Sequence, residues 1–418
     1  MADDVLDVAD RLWRGDIPIE QAHPFAPRGG VVEVTDGCAF VPSFANVSAV
    51  STADGLVLVD TGSQLFAAAA LEQLRRWSTE RVHTAVYSHG HIDHVFGVPL
   101  LEEEAGAKGW APPTVVAHEA LPARFDRYVL TAGYNEVINQ RQFRAPGLRW
   151  PTEYRYPDRT YRDTLVLEVG GERIELHHAR GETDDHTWTW VPERKVLCCG
   201  DFFIWACPNA GNPNKVQRYP REWALALREM AALRAEILLP GHGLPIVGAD
   251  RVRQALTDAA ALLEALHDQT VELMNVGATL DDALHTVRAP GELLARPYLH
   301  PIYDDPEFVV RNVWRLYGGW WDGDPAQLKP APDADLASEL AALAGGARRL
   351  AERATEVADA GDLRLAAHLA ELAGRAAPDD SAVLEGRADV YRRRAAAETS
   401  LMARNIFTWA ADRQSAEQ

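Results

Sequence analysis

His89, His91, Asp93 and His94 stand within one six-residue run, His89-Gly90-His91-Ile92-Asp93-His94, directly after the β-branched stretch Val82–Ser88. Three imidazoles and a carboxylate at offsets 0, 2, 4 and 5 form a metal-ligand set, not a packing pattern. On a loop leaving a strand end, the first two histidines can aim at one ion and the Asp-His pair at another. Borderline metals such as zinc take imidazole and carboxylate together, and two such ions side by side can generate hydroxide at neutral pH. His242 sits alone between Gly241 and Gly243 after the apolar run Leu238-Leu239-Pro240, where glycines let the backbone turn sharply beside an ion. Asp201 follows the run Lys195–Gly200. The segment Gly181-Glu182-Thr183-Asp184-Asp185-His186 offers both a carboxylate and an imidazole, and imidazole counting alone would choose His186.

These residues need strand ends to hold them, and the chain supplies strands. Val31–Val34, Asn46–Val50, Leu56–Asp60, Val82–Ser88, Val115–His118, Leu165–Val169, Ile174–His178, Thr187–Val191, Lys195–Cys199 and Glu236–Leu239 read as strands. Leu65–Trp77 and Trp223–Leu233 carry apolar residues at helical spacing between them. Strands alternating with helices, and metal residues at strand ends, imply an α/β fold with sheets covered by helices. Phe125–Asp163, rich in Tyr, Arg, Asn and Pro and without clear periodicity, reads as an insert or lid. Beyond Pro245 helical patterns take over: Val252–Met274, Leu280–Val287, Pro306–Tyr317. From Ala334 to Ala411 the chain is largely Ala, Leu, Arg and Glu, and breaks at Gly345-Gly346, Gly361-Asp362 and Pro378-Asp379 divide it into four or five helices.

At 418 residues the chain predicts two domains. The formal net charge of −19 disfavours a polyanion, so no nucleic acid is expected, while a local basic pocket remains free to take a small anion. The start Met1-Ala2-Asp3-Asp4 lacks the basic opening and apolar core of a signal peptide, and no apolar run is long enough to span a membrane. The four cysteines show no disulfide framework, and adjacent Cys198-Cys199 suit a buried strand. A cytoplasmic setting is the expectation.

The H-x-H-x-D-H string, with Gly55-Leu56-Val57-Leu58-Val59-Asp60-Thr61-Gly62 before it, resembles the signature of the metallo-β-lactamase superfamily. The run Asn312–Pro325, which includes Tyr317-Gly318-Gly319-Trp320-Trp321-Asp322-Gly323-Asp324-Pro325, and the helical tail resemble the alkyl sulfatase branch. That branch implies an αββα sandwich followed by an all-α helical dimerisation domain, here 1–265 and 266–418 with the insert at about 125–163, and a homodimer. The further C-terminal domain of well-known members is not expected here. A helical-hairpin array that binds a peptide is the rival reading of the tail.

The resemblance also assigns the site. It implies two Zn2+ per chain, one held by His89, His91 and Glu182, the other by Asp93, His94 and His242, with Asp201 bridging. Asp93 and Asp201 then carry the catalytic roles. Glu182 is favoured over His186 because the superfamily's ligand comes straight after the glycine that ends this strand. His186 becomes its neighbour or alternative, Asp60 supports the metal loop, and His177 and His178 are structural. The anion pocket falls on Asn209, Lys215 and Arg218, with Asn139 and Arg141 from the insert. The implied reaction is cleavage of alkyl sulfate esters by a metal-bound hydroxide, on a small anionic ester.

Two departures weaken a direct transfer. The branch more often has Glu where Asp201 stands, and no histidine lies between His186 and His242 to protonate a leaving group. A dizinc hydrolase of lactones, thioesters or phosphodiesters is the alternative. A non-enzymatic scaffold is the third reading, and seven ligand residues argue against it.

Overall fold

Along the strand Gly55–Val59, Val57 and Val59 enter one apolar cluster while Leu56 and Leu58 enter another. A period-two chain that is apolar on both faces must be covered on both, and that requirement sets the architecture. The computed structural model describes residues 5–412 apart from 24 and 27. The acidic start Met1–Asp4 lies outside the described residues.

Two sheets form. The first runs in sequence order through β1 (Val32–Thr35), β2 (Cys38–Val41), β3 (Val47–Thr52), β4 (Gly55–Val59), β5 (Val82–Val86), β6 (Thr114–His118) and β7 (Arg159–Tyr161). The second runs β13 (Ile246–Val247), β12 (Ile237–Pro240), β11 (Val196–Gly200), β10 (Thr187–Val191), β9 (Glu172–His178) and β8 (Thr164–Val169). β4 to β7 are parallel neighbours, as are β11 and β12. One core joins Val57, Val59, Val86 and Val116 to Ile174, Leu176, Val196, Cys198 and Leu239 of the opposite sheet. Behind the first sheet, Leu56 and Leu58 pack on Ala70, Leu74 and Leu101 from the helices Ala67–Trp77 and Val98–Lys108. The helices Pro220–Ala232 and Ala249–Asn275 pack on each other, and the second also packs on β12 and β13. This is the expected αββα sandwich. All four cysteines are free and buried.

β2, β7 and β13 have no counterpart among the sequence-read strands. At four, three and two residues they are too short for alternation to stand out. The stretch 125–163 is not the irregular insert the sequence suggests. It contains most of the helix Leu121–Leu130 and all of the helix Ala132–Phe143. The second of these buries Asn135, Asn139 and Gln142 beside Ile138, so its inward face is polar and its periodicity is hidden.

The chain falls into two compact units, with 133–150, 279–281 and 320–418 in the second. The division expected at 265 falls inside the helix Ala249–Asn275, and 282–319 folds with the first unit. The helix Pro306–Gly318 buries Val309, Val310, Val313 and Trp314 and packs on the helix Ala249–Asn275, while Asp304 accepts from Gly211 N at 2.7 Å and Asn312 donates to Arg218 O at 2.9 Å, which ties this segment to a loop of the sandwich. In the second unit five helices cover Asp333–Leu343, Ala347–Asp359, Leu363–Ala376, Ser381–Ala396 and Leu401–Asp412. Gly346 and Gly361 have positive φ at the first two breaks, and Asp362 and Asp380 cap the helices that follow. Small buried residues, among them Ala354, Ala366, Ala370 and Ala373, let these helices approach closely.

Candidate metal centre

Every expected ligand of the first unit leaves a strand end on one edge of the sandwich. The His89–His94 loop follows β5, Glu182 lies on the β9–β10 connection, Asp201 follows β11 and His242 follows β12. Asp60, at the end of β4, adopts φ 62°, an uncommon conformation for a residue with a side chain. That turn sends its carboxylate under the metal loop. Asp60 Oδ1 accepts from Ser88 N at 2.7 Å, and Oδ2 accepts from Ser88 Oγ at 2.8 Å and faces His94 Nδ1 at 2.7 Å.

The structure gathers the seven side chains into two groups, His89–His91–Glu182–Asp201 and Asp93–His94–His242, each with its ligating atoms within 4.8 Å of one another. Asp201 touches both. Its Oδ2 lies 3.9 Å from His89 Nε2 and 3.3 Å from His242 Nε2, and its Oδ1 lies 3.5 Å from His94 Nε2. Asp93 Oδ2 is 3.3 Å from His242 Nε2 and 3.6 Å from that of His94. Gly241 is required beside them, because a Cβ there would stand 2.1 Å from Asp201 Oδ1.

This donor set fits two divalent ions. His94 Nε2, Glu182 Oε2 and Asp201 Oδ1 are buried atoms without a hydrogen-bond partner, a costly arrangement unless a cation completes them. The far sides of the imidazoles are occupied: Asp60 faces His94, and His242 Nδ1 donates to Phe44 O. Such partners fix the tautomer and leave Nε2 for an ion. The charges agree. Burial opposes a proton on His242, yet Asp201 and Asp93 hold its imidazole up to about 10, while burial and Asp201 raise Glu182 to about 8 despite Arg218.

Glu182 and His186 separate clearly. Glu182 Oε1 is 3.8 Å from His91 Nδ1 and is bound by Asn209 Nδ2 and the Arg218 guanidinium. His186 stands behind Asp201: its Nε2 accepts from Asp201 N at 3.2 Å, and its ring stacks on Phe202 at 4.2 Å. Burial depresses its imidazole to about 3, so it is neutral. His178 stacks on His118 at 3.5 Å and His177 on Trp188 at 4.0 Å, both packing roles.

Of the expected anion-binding residues, Asn209 and Arg218 are buried against Glu182. Half-buried Lys215 is lowered to about 7 by burial and Arg218, with Asp93 and Glu182 close enough to oppose this. Asn139 and Arg141 belong to the second unit, where Asn139 donates to Asn135 O and Arg141 lies over Trp409 at 4.1 Å. The sequence reading missed several residues that hold the site. Asn46 donates to Pro240 O and Gly243 O, both at 3.0 Å, and so clamps the His242 loop. Asp185 accepts from Gly90 N at 2.8 Å and from Arg124 Nε at 2.7 Å. Asp304 and Asn312 fix the Asn209–Arg218 loop, and Tyr303 is buried beside Phe25. Their only sequence signal was polar residues inside otherwise apolar or turn-like segments.

The family model for the metallo-beta-lactamase superfamily matches residues 41–242, and that for alkyl sulfatase dimerisation matches residues 279–417. A linear primary-alkylsulfatase of a Pseudomonas species is 28% identical over 87% of this chain and 72% of its own length. An (R)-specific secondary-alkylsulfatase, also from Pseudomonas, is 27% identical over 78% of this chain and 53% of its own. In fold, the chain is similar to the stereoselective inverting sec-alkylsulfatase Pisa1 from Pseudomonas, with a TM-score of 0.82 at 24% identity, covering 92% of this chain and 65% of that one. Helical residues 282–319 fall within the dimerisation match yet fold with the metal-bearing unit. With a sandwich, a ligand set on its strand ends and a helical region that match in this order, the chain carries a metallo-beta-lactamase superfamily domain followed by an alkyl sulfatase dimerisation domain, and its relatives with that pair are alkylsulfatases.

Proposed function

We propose that this chain is a dizinc hydrolase of alkyl sulfate esters. The observation that carries the reading is the meeting of two ligand groups through Asp201, with Asn209, Lys215 and Arg218 on one flanking loop. Two divalent ions held there, His89–His91–Glu182 and Asp93–His94–His242 with Asp201 between, would activate water and offset negative charge on the substrate. The chain's own residues do the rest. Arg218 and Asn209 hold the Glu182 carboxylate, and Lys215 adds a cation within reach of the same pocket. Asp60 and Phe44 O keep the two imidazoles oriented. The alkylsulfatase relatives support the sulfate ester over other leaving groups.

The test is a screen of the zinc-loaded chain against alkyl sulfates, lactones, thioesters and phosphodiesters. Alkyl sulfates should be turned over best. Lys215→Ala should then lower kcat/KM for the sulfate by about 1–3 kcal/mol, the size of a lost charge-assisted hydrogen bond, and leave a neutral lactone unaffected. Turnover confined to neutral lactones, or an unchanged Lys215→Ala rate on the best anionic ester, would refute the assignment.

A homodimer goes with this function. The helix Asp333–Leu343 buries Ala337 and Ala341 but exposes Leu336, Leu340 and Leu343, which share one face at helical spacing. A second copy is the partner that the dimerisation match supports. Light scattering of the full chain should give twice its mass, and Leu340→Asp with Leu343→Asp should return it to the monomer. A wild-type monomer at micromolar concentration is the contrary result.

A further inference from the structure

The two ligand groups use the same kinds of side chain, two imidazoles with carboxylates, yet what stands behind them differs. Around His94 the surroundings are anionic. Asp60 Oδ2 lies 2.7 Å from its Nδ1, while Asp201 Oδ1 and Asp93 Oδ2 lie 3.5 and 3.6 Å from its Nε2. A carboxylate behind a ligating imidazole raises its basicity toward the ion. Behind His89, in the other group, the partner of Nδ1 is the neutral Ser88 hydroxyl, at 3.0 Å.

The carboxylate of that other group is also shared. Glu182 Oε1 takes both the Arg218 guanidinium and Asn209 Nδ2, and only Oε2 is without a hydrogen-bond partner. Arg218 is 2% exposed, so water screens its charge poorly and it opposes a second cation on the same carboxylate. Asp201 leans away from this group as well, at 3.9 Å from His89 against 3.3 Å from His242. Other features do not separate the two. Asp93 and His91, one from each group, have side chains 21% and 18% exposed. Lys215 stands near both Asp93 and Glu182, and Arg124 is balanced by Asp184 and Asp185.

We propose that the two sites are unequal by construction: Asp93–His94–His242, backed by Asp60, binds zinc the more tightly and fills first, while Arg218 keeps His89–His91–Glu182 the weaker. This rests on the dizinc reading above. It goes beyond that reading by ranking the sites and naming the residue that sets each affinity. The consequence is a chain that keeps one ion under metal shortage and gains its second only as free zinc rises.

The experiment titrates the zinc-loaded full chain with a chelator of known zinc affinity and counts retained ions by native mass spectrometry. Wild type should release its ions in two steps at least about tenfold apart in free zinc, the effect that a partner behind a ligand carries. His91→Ala should retain one ion at the tighter wild-type constant, and His242→Ala one ion at the weaker. Asp60→Asn, close to isosteric, should loosen the tighter step by roughly 10–100-fold and leave the weaker step near its wild-type value. Arg218→Gln removes a cation beside Glu182 and should tighten the weaker step on the order of tenfold. If Arg218→Gln does not fold, Asp60→Asn and the two single-ligand variants decide the ranking without it.

Two ions released together would overturn the ranking, and so would a tighter ion that His242→Ala retains. Wild-type values for both steps in Asp60→Asn would overturn it too, and a folded Arg218→Gln chain with an unchanged weaker step would remove the part given to Arg218. All of these leave the two-ion centre standing. A wild-type chain that binds at most one ion ends the dizinc reading itself, and the ranking falls with it.

Discussion

Saturated with zinc and freed of excess metal, the full chain is expected to hold close to two ions, one for each ligand group. His94→Ala and His242→Ala should each lose the same ion, and His89→Ala should lose the other. Asp201→Ala should weaken both, since its two oxygens face His94, His242 and His89 together. An ion in such a site supplies several kcal/mol of charge stabilisation. Each 1.4 kcal/mol is tenfold in rate, so any of these changes should cost on the order of 10³-fold in kcat/KM. Metal content by mass spectrometry of dialysed protein and rates on one alkyl sulfate read both quantities. A wild-type chain that never exceeds one ion would rule out the two-ion centre.

The second large effect distinguishes Glu182 from His186. Glu182→Ala should remove an ion and abolish hydrolysis. It also leaves the buried Arg218 guanidinium without its carboxylate, and breaking a buried pair costs about 3–5 kcal/mol of stability. Glu182→Gln keeps the shape and separates the loss of metal from the loss of fold. His186→Ala should keep both ions and lower the rate by roughly 10–100-fold, as partners behind a ligand do. Its removal leaves Asp201 N without an acceptor, with a stability loss of about 1–3 kcal/mol. Two ions in Glu182→Ala and one in His186→Ala would reverse the assignment.

The geometry gives the reason Glu182, and not His186, falls in the group with His89, His91 and Asp201. His186 is fully buried, stacked on Phe202 and engaged with the backbone of Asp201, whereas Glu182 is aimed at His91. Identity and position in sequence carry no direction. A residue four places away on the same connection faces another wall, and only the antiparallel pairing of β9 with β10 decides which.

Much of the sandwich was legible because its strands are apolar on both faces and bounded by turn residues, as in Leu56–Asp60 and Lys195–Cys199. Elements whose inward face is polar were not. The helix Ala132–Phe143 buries Asn135, Asn139 and Gln142, so a reading based on apolar spacing finds nothing there. The helical tail was legible through its glycines and aspartates, which end one helix and cap the next within a few residues.

The His89–His94 run pointed to metal-ligand chemistry by itself, because ligand type and spacing act over a few residues and need no partner to be recognised. What the tertiary structure alone decided is how those ligands are held. Asn46 clamps the His242 loop across 194 and 197, and Asp304 and Asn312 fix the Asn209–Arg218 loop across 93 and 94. No local pattern encodes such pairs. Each polar side chain could satisfy itself in water, and it reaches its distant partner only because the two sheets close over a shared core and exclude the water that would otherwise compete.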